Sequence, residues 1–168
     1  MRTLPFVPGM LDLFSHLSRD LYEIIIISDA NSVFIDVIME AAGLCDVIMA
    51  TYTNPAWFAD DGCLHIKYYH TQDWCDLSTK NLCKGYILEK HIKERNSDGV
   101  QYTNVLYVGD GSNDLCPGLK LRHNDYLLPR EGFKLIDIIK RGQPLLKAQV
   151  KPWKDGHDIL ALLKDIQS

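Results

Sequence analysis

Four consecutive isoleucines at residues 24–27 constrain the fold more than any other feature of this chain. Isoleucine is β-branched and stiff at its first side-chain torsion, so the run favours a strand over a helix. A strand that is apolar at every position, rather than at every second one, is typical of a parallel sheet covered on both faces. We therefore expect residues 22–28 to form a strand that is buried on both faces.

Helix-like and strand-like segments alternate along the chain, and this order predicts an α/β fold. We expect a Rossmann-like parallel sheet with helices on both faces. The predicted helices cover residues 11–21, 32–42, 81–95, 132–140 and 156–166, and the other predicted strands cover 46–50, 105–108 and 125–128. Thr79 or Asn81 could cap the third helix, and Ser112 or Asn113 opens a short helix that is interrupted near Pro117.

The length of 168 residues is typical of one domain, so residues 1–168 are expected to form a single core. An excursion from that core is expected over 51–70. There, Asp61-Gly62 lies between two apolar stretches and predicts a β-hairpin.

Charge and cysteine content narrow the function classes. Eighteen basic against 22 acidic residues give a net charge of −4, which argues against a nucleic-acid binder or a membrane-surface binder. The chain has no apolar run near the roughly 18 residues of a membrane span, and its first residues do not resemble a signal peptide. With five cysteines, an odd number, we expect reduced thiols and a cytoplasmic location.

Three polar groups are expected at the carboxyl edge of the sheet, where ligands bind in open α/β folds. Ser28-Asp29-Ala30-Asn31 follows the isoleucine strand, Gly109-Asp110-Gly111-Ser112-Asn113-Asp114 follows the strand at 105–108, and Lys84 lies near the start of the third helix. A serine hydroxyl and a lysine ammonium can hold phosphate oxygens. The paired carboxylates of Asp110 and Asp114 suit Mg²⁺.

Each group also has a purely structural interpretation. Ser28-Asp29 could cap a helix, Lys84 could be a solvated helix residue, and the glycine-rich segment could be a loop with an N-cap. That segment is also similar to the glycine-rich turn of methyltransferases that bind S-adenosylmethionine, but Asn113 stands where a third glycine is expected.

Taken together, these segments resemble the haloacid dehalogenase superfamily of phosphatases, and more narrowly its phosphoethanolamine/phosphocholine and pyridoxal-phosphate phosphatase branch. The string from Gly109 to Pro117 is the most specific part of the match, which runs nearly end to end. The resemblance implies an Mg²⁺-dependent phosphatase of a small phosphomonoester. Ser28 would bond the phosphoryl group, and Asp29 and Asn31 would contact substrate. Lys84 would stabilise the phosphoryl charge and the nucleophile. Asp110 would bind Mg²⁺, and Asp114 would support the ion directly or through a water molecule.

The family's Asp-x-Asp motif is not found, because no two aspartates in the chain are separated by a single residue. In that motif one aspartate is the nucleophile and the other the general acid/base. The resemblance therefore implies a partial core without the usual first strand and cap, and we expect the chain alone to be inactive. The alternative is a non-catalytic protein that retains phosphate binding.

His70, Cys75 and Cys83 could in principle hold a metal, but their spacing is not typical of zinc sites. The resemblance implies a cysteine where Ser78 stands, and that departure argues further against a structural metal. Reduced, partly buried thiols are the favoured interpretation.

Overall fold

The computed structural model describes residues 5–17, 21–142 and 144–167. The chain divides into two compact units: Met1–His70 with Asp155–Ser168, called the first unit below, and Thr71–Lys154, called the second unit. The helices are α1 (Met10–His16), α2 (Ser32–Ala42), α3 (Lys84–Ser97), α4 (Leu115–Gly118), α5 (Lys134–Gly142) and α6 (Gly156–Gln167). The strands are β1 (Ile24–Asn31), β2 (Ile48–Asn54), β3 (Ala56–Phe58), β4 (Leu64–Ile66), β5 (Leu106–Gly109), β6 (Tyr126–Pro129) and β7 (Gln149–Val150). A short 3₁₀ turn, Ser112–Asp114, leads into α4.

In the first unit, β1 pairs in parallel with β2, and α2 follows β1 directly. The buried side chain of Asn54 closes the carboxyl end of β1, since its amide donates to the carbonyl oxygens of Asp29 and Ala30 at 2.9 Å each. β3 and β4 form an antiparallel pair around Asp61-Gly62. Gly62 has a φ of +83°, a conformation that glycine adopts without strain. The hairpin predicted from this turn is confirmed.

In the second unit, β5, β6 and β7 form a parallel sheet in that order. The carboxylate of Asp125, which is buried just before β6, accepts hydrogen bonds from the backbone N–H of Val105 at 2.9 Å and from the Arg122 guanidinium at 2.8 and 3.0 Å. These bonds join the segment before β5 to the segment before β6. They hold β6 in register with β5, the strand whose far end leads into the candidate site.

The α/β class, with parallel strands and helices in alternation, is confirmed. The expected burial of the isoleucine strand on both faces is wrong, because every residue of β1 from Ile24 to Asp29 is half-buried. Among the described residues β1 belongs to a two-stranded sheet and β5 lies at the edge of a three-stranded one. An edge strand has fewer neighbours to cover it. None of the described helices is both long and apolar enough to cross a membrane.

Several element boundaries differ from the predictions. β1 extends past residue 28 to Asn31, and β2 runs from Ile48 to Asn54 rather than over 46–50. The first helix was predicted over 11–21, but α1 ends at His16. Residues 18–20 of that prediction lie outside the described part of the chain. The caps predicted for α3 are wrong: Cys83 is its N-cap, and Thr79 pairs instead with Leu82 in a tight turn. The strand β7 was not predicted, because two residues carry no readable periodicity.

Candidate functional site

The carboxylate of Asp114 is the centre of a cluster of charged and polar groups in the second unit. One of its oxygens, Oδ1, accepts from Lys84 Nζ at 2.7 Å and from the Tyr107 hydroxyl at 2.8 Å. The other, Oδ2, accepts from the backbone N–H groups of Asp110 and Gly111 at 2.9 and 2.8 Å. A carboxylate has about four acceptor positions, so all of them are used by protein donors. Asp114 therefore organises the cluster.

This cluster is buried at its centre. Asp114 is 2% exposed, and the Lys84 side chain is 12% exposed. Burial alone raises the pKa of a carboxyl group, but here the charge and hydrogen bond of Lys84, the Gly111 N–H and the Tyr107 hydroxyl outweigh it. The pKa of Asp114 is consequently held below its usual range. The pair is thus an ion pair at neutral pH, with the ammonium fixed beside the turn that follows β5.

The turn itself depends on Gly109. A Cβ placed at Gly109 would lie 2.6 Å from Cγ of Asp114, closer than non-bonded carbon atoms approach. The missing side chain therefore lets the Asp114 carboxylate fold back under the turn and bond its N–H groups. The predicted helical opening after Gly111 is present as the 3₁₀ turn followed by α4.

Asp110 is presented differently from Asp114, because it is exposed at the tip of the turn. Its backbone is fixed on both sides, since its N–H donates to Asp114 and its carbonyl oxygen accepts from Leu135 N at 3.0 Å. An exposed carboxylate on a rigid turn is a hard oxygen ligand of the kind that Mg²⁺ uses, usually one or two per ion together with waters. The residues present therefore fit a hard divalent cation held directly by Asp110, with Asp114 holding the turn.

The sequence predicted that Lys84, Asp110 and Asp114 lie close together. All three belong to the second unit, where Asp114 contacts both of the others. The prediction missed Tyr107, although a signal was available. Side chains two residues apart in a strand share a face, so Tyr107 lies on the same face of β5 as Gly109, the residue against which Asp114 packs.

Ser28, Asp29 and Asn31 lie in the first unit, at the end of β1. The Ser28 hydroxyl accepts from the N–H of Ala30 at 3.2 Å, and Asp29 is half-buried. Asn31 is 4% exposed and caps α2: its side-chain oxygen accepts from the N–H of Phe34 at 3.1 Å. The helix cap considered for Ser28-Asp29 is therefore supplied by Asn31.

We expect Asn31→Ala to lower the free energy of unfolding by about 1 kcal/mol, because α2 loses the acceptor for one of its first N–H groups. Asn31→Asp keeps an oxygen at the cap and serves as the control. Chemical denaturation monitored by circular dichroism measures both variants. Equal stability of wild type and Asn31→Ala would show that the cap contributes nothing.

Three cysteine side chains that are distant in sequence lie close together in the structure. Cys75, Cys83 and Cys116 meet in the second unit, and all five cysteines are free. Burial raises the pKa of the Cys116 thiol to about 12. The sequence offered no reason to group Cys116 with Cys83 and Cys75, because these two residues are 33 and 41 positions away along the chain.

The chain is similar to known proteins over nearly its whole length. The family model described as "Putative Phosphatase" matches residues 1–166. Human pyridoxal phosphate phosphatase is 40% identical to the chain over 167 residues, which cover 96% of this chain and 69% of the human protein. No solved structure gives a significant match.

Two further relatives have other names. The phosphoethanolamine/phosphocholine phosphatase of Gallus gallus is 35% identical, over 97% of this chain and 63% of its own. The inorganic pyrophosphatase 2 of Arabidopsis thaliana is 32% identical, over 99% of this chain and 61% of its own. Since the family model spans nearly all of the sequence and the human relative shares two residues in five with it, the chain belongs to this family of phosphatases.

Proposed function

We propose that this protein is an Mg²⁺-dependent phosphatase of small phosphomonoesters, with phosphocholine, phosphoethanolamine or pyridoxal phosphate as substrate. The observation that carries the proposal is the Lys84–Asp114 ion pair at 2.7 Å, built into the turn that presents the exposed Asp110. The names of the relatives support the class of reaction and these substrates.

The proposed roles follow from what each group can do. Phosphoryl transfer depends mainly on positioning and on neutralising charge. Asp110 would hold Mg²⁺, which when bound neutralises charge on the phosphoryl oxygens. Asp114 would keep the turn and Lys84 in place, and the Lys84 ammonium would stabilise charge on the transferring group.

The roles of Ser28, Asp29 and Asn31 as substrate contacts are proposed from the family resemblance alone. Ser28 is half-buried, and its hydroxyl, which accepts from the N–H of Ala30, can donate to a phosphoryl oxygen. For Asn31 the helix cap is a competing role, since the same side-chain oxygen is already an acceptor.

We also propose that the 168-residue polypeptide does not itself turn over phosphomonoesters, because no two of its aspartates are separated by one residue. The second candidate function is phosphate or phospholigand binding without hydrolysis. The same ion pair favours it, since Lys84 and Asp110 need no nucleophile in order to bind phosphate and a cation. A cytoplasmic location remains a prediction.

The experiment that tests the cation site is a calorimetric titration of the chain with Mg²⁺, alone and with inorganic phosphate. We expect saturable binding that Asp110→Asn abolishes and that phosphate strengthens. Asp60→Asn removes an exposed carboxylate in the β3–β4 turn and is the matched control. Equal Mg²⁺ binding by wild type and Asp110→Asn would refute the assignment.

Substrate class is tested by competition against bound phosphate in the presence of Mg²⁺. Phosphocholine, phosphoethanolamine and pyridoxal phosphate form the panel, with inorganic pyrophosphate added because one relative is named for it. Displacement by a phosphomonoester but not by pyrophosphate supports the proposal. Preference for pyrophosphate would replace the proposed substrate class.

A further inference from the structure

Four side chains of the second unit form a closed ring of sulfur and oxygen atoms. The Sγ of Cys116 lies 3.4 Å from that of Cys75 and 3.8 Å from that of Cys83. The Ser78 hydroxyl oxygen completes the ring, at 3.4 Å from the Sγ atoms of both Cys75 and Cys83. All three sulfur atoms lie within 4.8 Å of one another.

These separations are those of ligands around a small tetrahedral ion. A zinc–sulfur bond of about 2.3 Å and a tetrahedral angle place neighbouring sulfur atoms about 3.8 Å apart. A disulfide would instead need about 2.05 Å between two sulfur atoms, and it would leave the third thiol unused. The arrangement of three thiols and a hydroxyl therefore suits one shared ion better than a bond between two of them.

We propose that Cys75, Cys83 and Cys116 bind one Zn²⁺ ion, with the Ser78 hydroxyl in the fourth position. Thiolates are soft ligands and select zinc over Mg²⁺, so this site is chemically distinct from the oxygen ligand at Asp110. The thiol protons are released to solvent when the metal binds, and no oxidation is involved.

The loop that carries Cys75 and Ser78 is held together by the buried side chain of Gln72. Gln72, which is 4% exposed, accepts from the N–H of Cys75 at 2.9 Å through Oε1. Its Nε2 donates to the carbonyl oxygens of Cys75, Ser78 and Thr79 at 3.2, 3.3 and 2.9 Å. One buried amide thus fixes the curvature that points both ligand side chains inward, which lowers the entropy cost of binding.

The two buried ligands lie close in sequence to the Lys84–Asp114 ion pair. Cys83 is the N-cap of α3 and directly precedes Lys84, while Cys116 follows Asp114 by two residues in α4. Gly85 makes their approach possible, because a Cβ there would lie 2.5 Å from the Cys116 Sγ. Zn²⁺ would therefore fasten the backbone segments that hold Lys84 against Asp114.

The direct test is elemental analysis of the intact chain, purified under reducing conditions and dialysed against metal-free buffer. We expect about one zinc ion per chain. Cobalt reconstitution should give the intense near-ultraviolet bands of thiolate–cobalt charge transfer. Cys116→Ser should lose the zinc and these bands, whereas Cys63→Ser, which removes an exposed thiol outside the ring, should keep both.

Because Cys116→Ser could fail to fold, the Ser78→Cys variant provides an independent test of the zinc site. This variant keeps the three thiols and adds a fourth where the hydroxyl already lies 3.4 Å from two of them. We expect it to retain zinc against a chelator at least about tenfold more strongly than wild type. Zinc absent from both proteins, zinc retained by folded Cys116→Ser, or a disulfide among the three cysteines would each overturn the proposal. None of these readouts depends on phosphatase activity, so they stand apart from the proposed function.

Discussion

The 168-residue polypeptide, purified alone, is expected to release no phosphate from phosphocholine, phosphoethanolamine or pyridoxal phosphate in the presence of Mg²⁺. The physical reason is the missing pair of carboxylates that would supply the nucleophile and the general acid/base. Removing the nucleophile of a hydrolase can cost on the order of 10⁶-fold in rate, which is below the detection limit of a phosphate-release assay. Colorimetric determination of released phosphate measures the effect.

The control for this prediction is Asp110→Asn, which loses the proposed cation ligand. Wild type and variant should give the same background, because any residual signal then comes from contaminating phosphatases. Turnover that is present in wild type and lost in Asp110→Asn would contradict the prediction and show that another side chain supplies the nucleophile. Phosphate binding without turnover would instead support the non-catalytic alternative.

The substitution with the largest effect on stability is expected to be Asp114→Ala. It leaves the Lys84 ammonium, the Tyr107 hydroxyl and two backbone N–H groups without their shared acceptor in a buried site. Breaking a buried ion pair by removing one partner costs about 3–5 kcal/mol, whereas an exposed pair is worth about 0–1 kcal/mol. Asp137→Ala breaks the exposed pair with Arg141 at 3.9 Å and is the matched control.

The same pair has a defined pH dependence. Because the pKa of Asp114 is lower in the folded chain than in the unfolded chain, its contribution is complete above the ordinary carboxyl pKa and is lost as pH falls through the folded value. The difference in unfolding free energy between wild type and Asp114→Asn should therefore shrink below about pH 4. Denaturant melts across the acid range measure it, and a difference that stayed constant down to full protonation would contradict the assignment.

The parts of the fold that could be predicted are those with local causes. The α/β class followed from the isoleucine run and the alternation around it, and α2 was predicted with its observed bounds, 32–42. The helix begins after an asparagine cap at Asn31 and ends at Gly43, which adopts a left-handed conformation with φ at +66°. Such signals act within a few residues and are legible without the rest of the chain.

The parts that could not be predicted depend on contacts distant in sequence. Burial of β1 is decided by which strands lie beside it, and its own four isoleucines carry no information on that. The spacing of Asp110 and Asp114 predicted that both carboxylates lie on one side of the turn, but Asp110 is exposed and Asp114 is buried. The Asp114 carboxylate points inward because Lys84, 30 residues earlier in the chain, and Tyr107 donate hydrogen bonds to it.

The contact between Gly109 and Asp114 restricts how this site could be redesigned. A Cβ at position 109 would lie 2.6 Å from Cγ and 2.7 Å from Cβ of Asp114, so even alanine at 114 would leave a clash. Position 109 accepts a side chain only when position 114 has none, and position 114 cannot lose its carboxylate without releasing Lys84. A substitution at either position should therefore be destabilising, at 109 through a steric clash and at 114 through loss of the acceptor that holds Lys84.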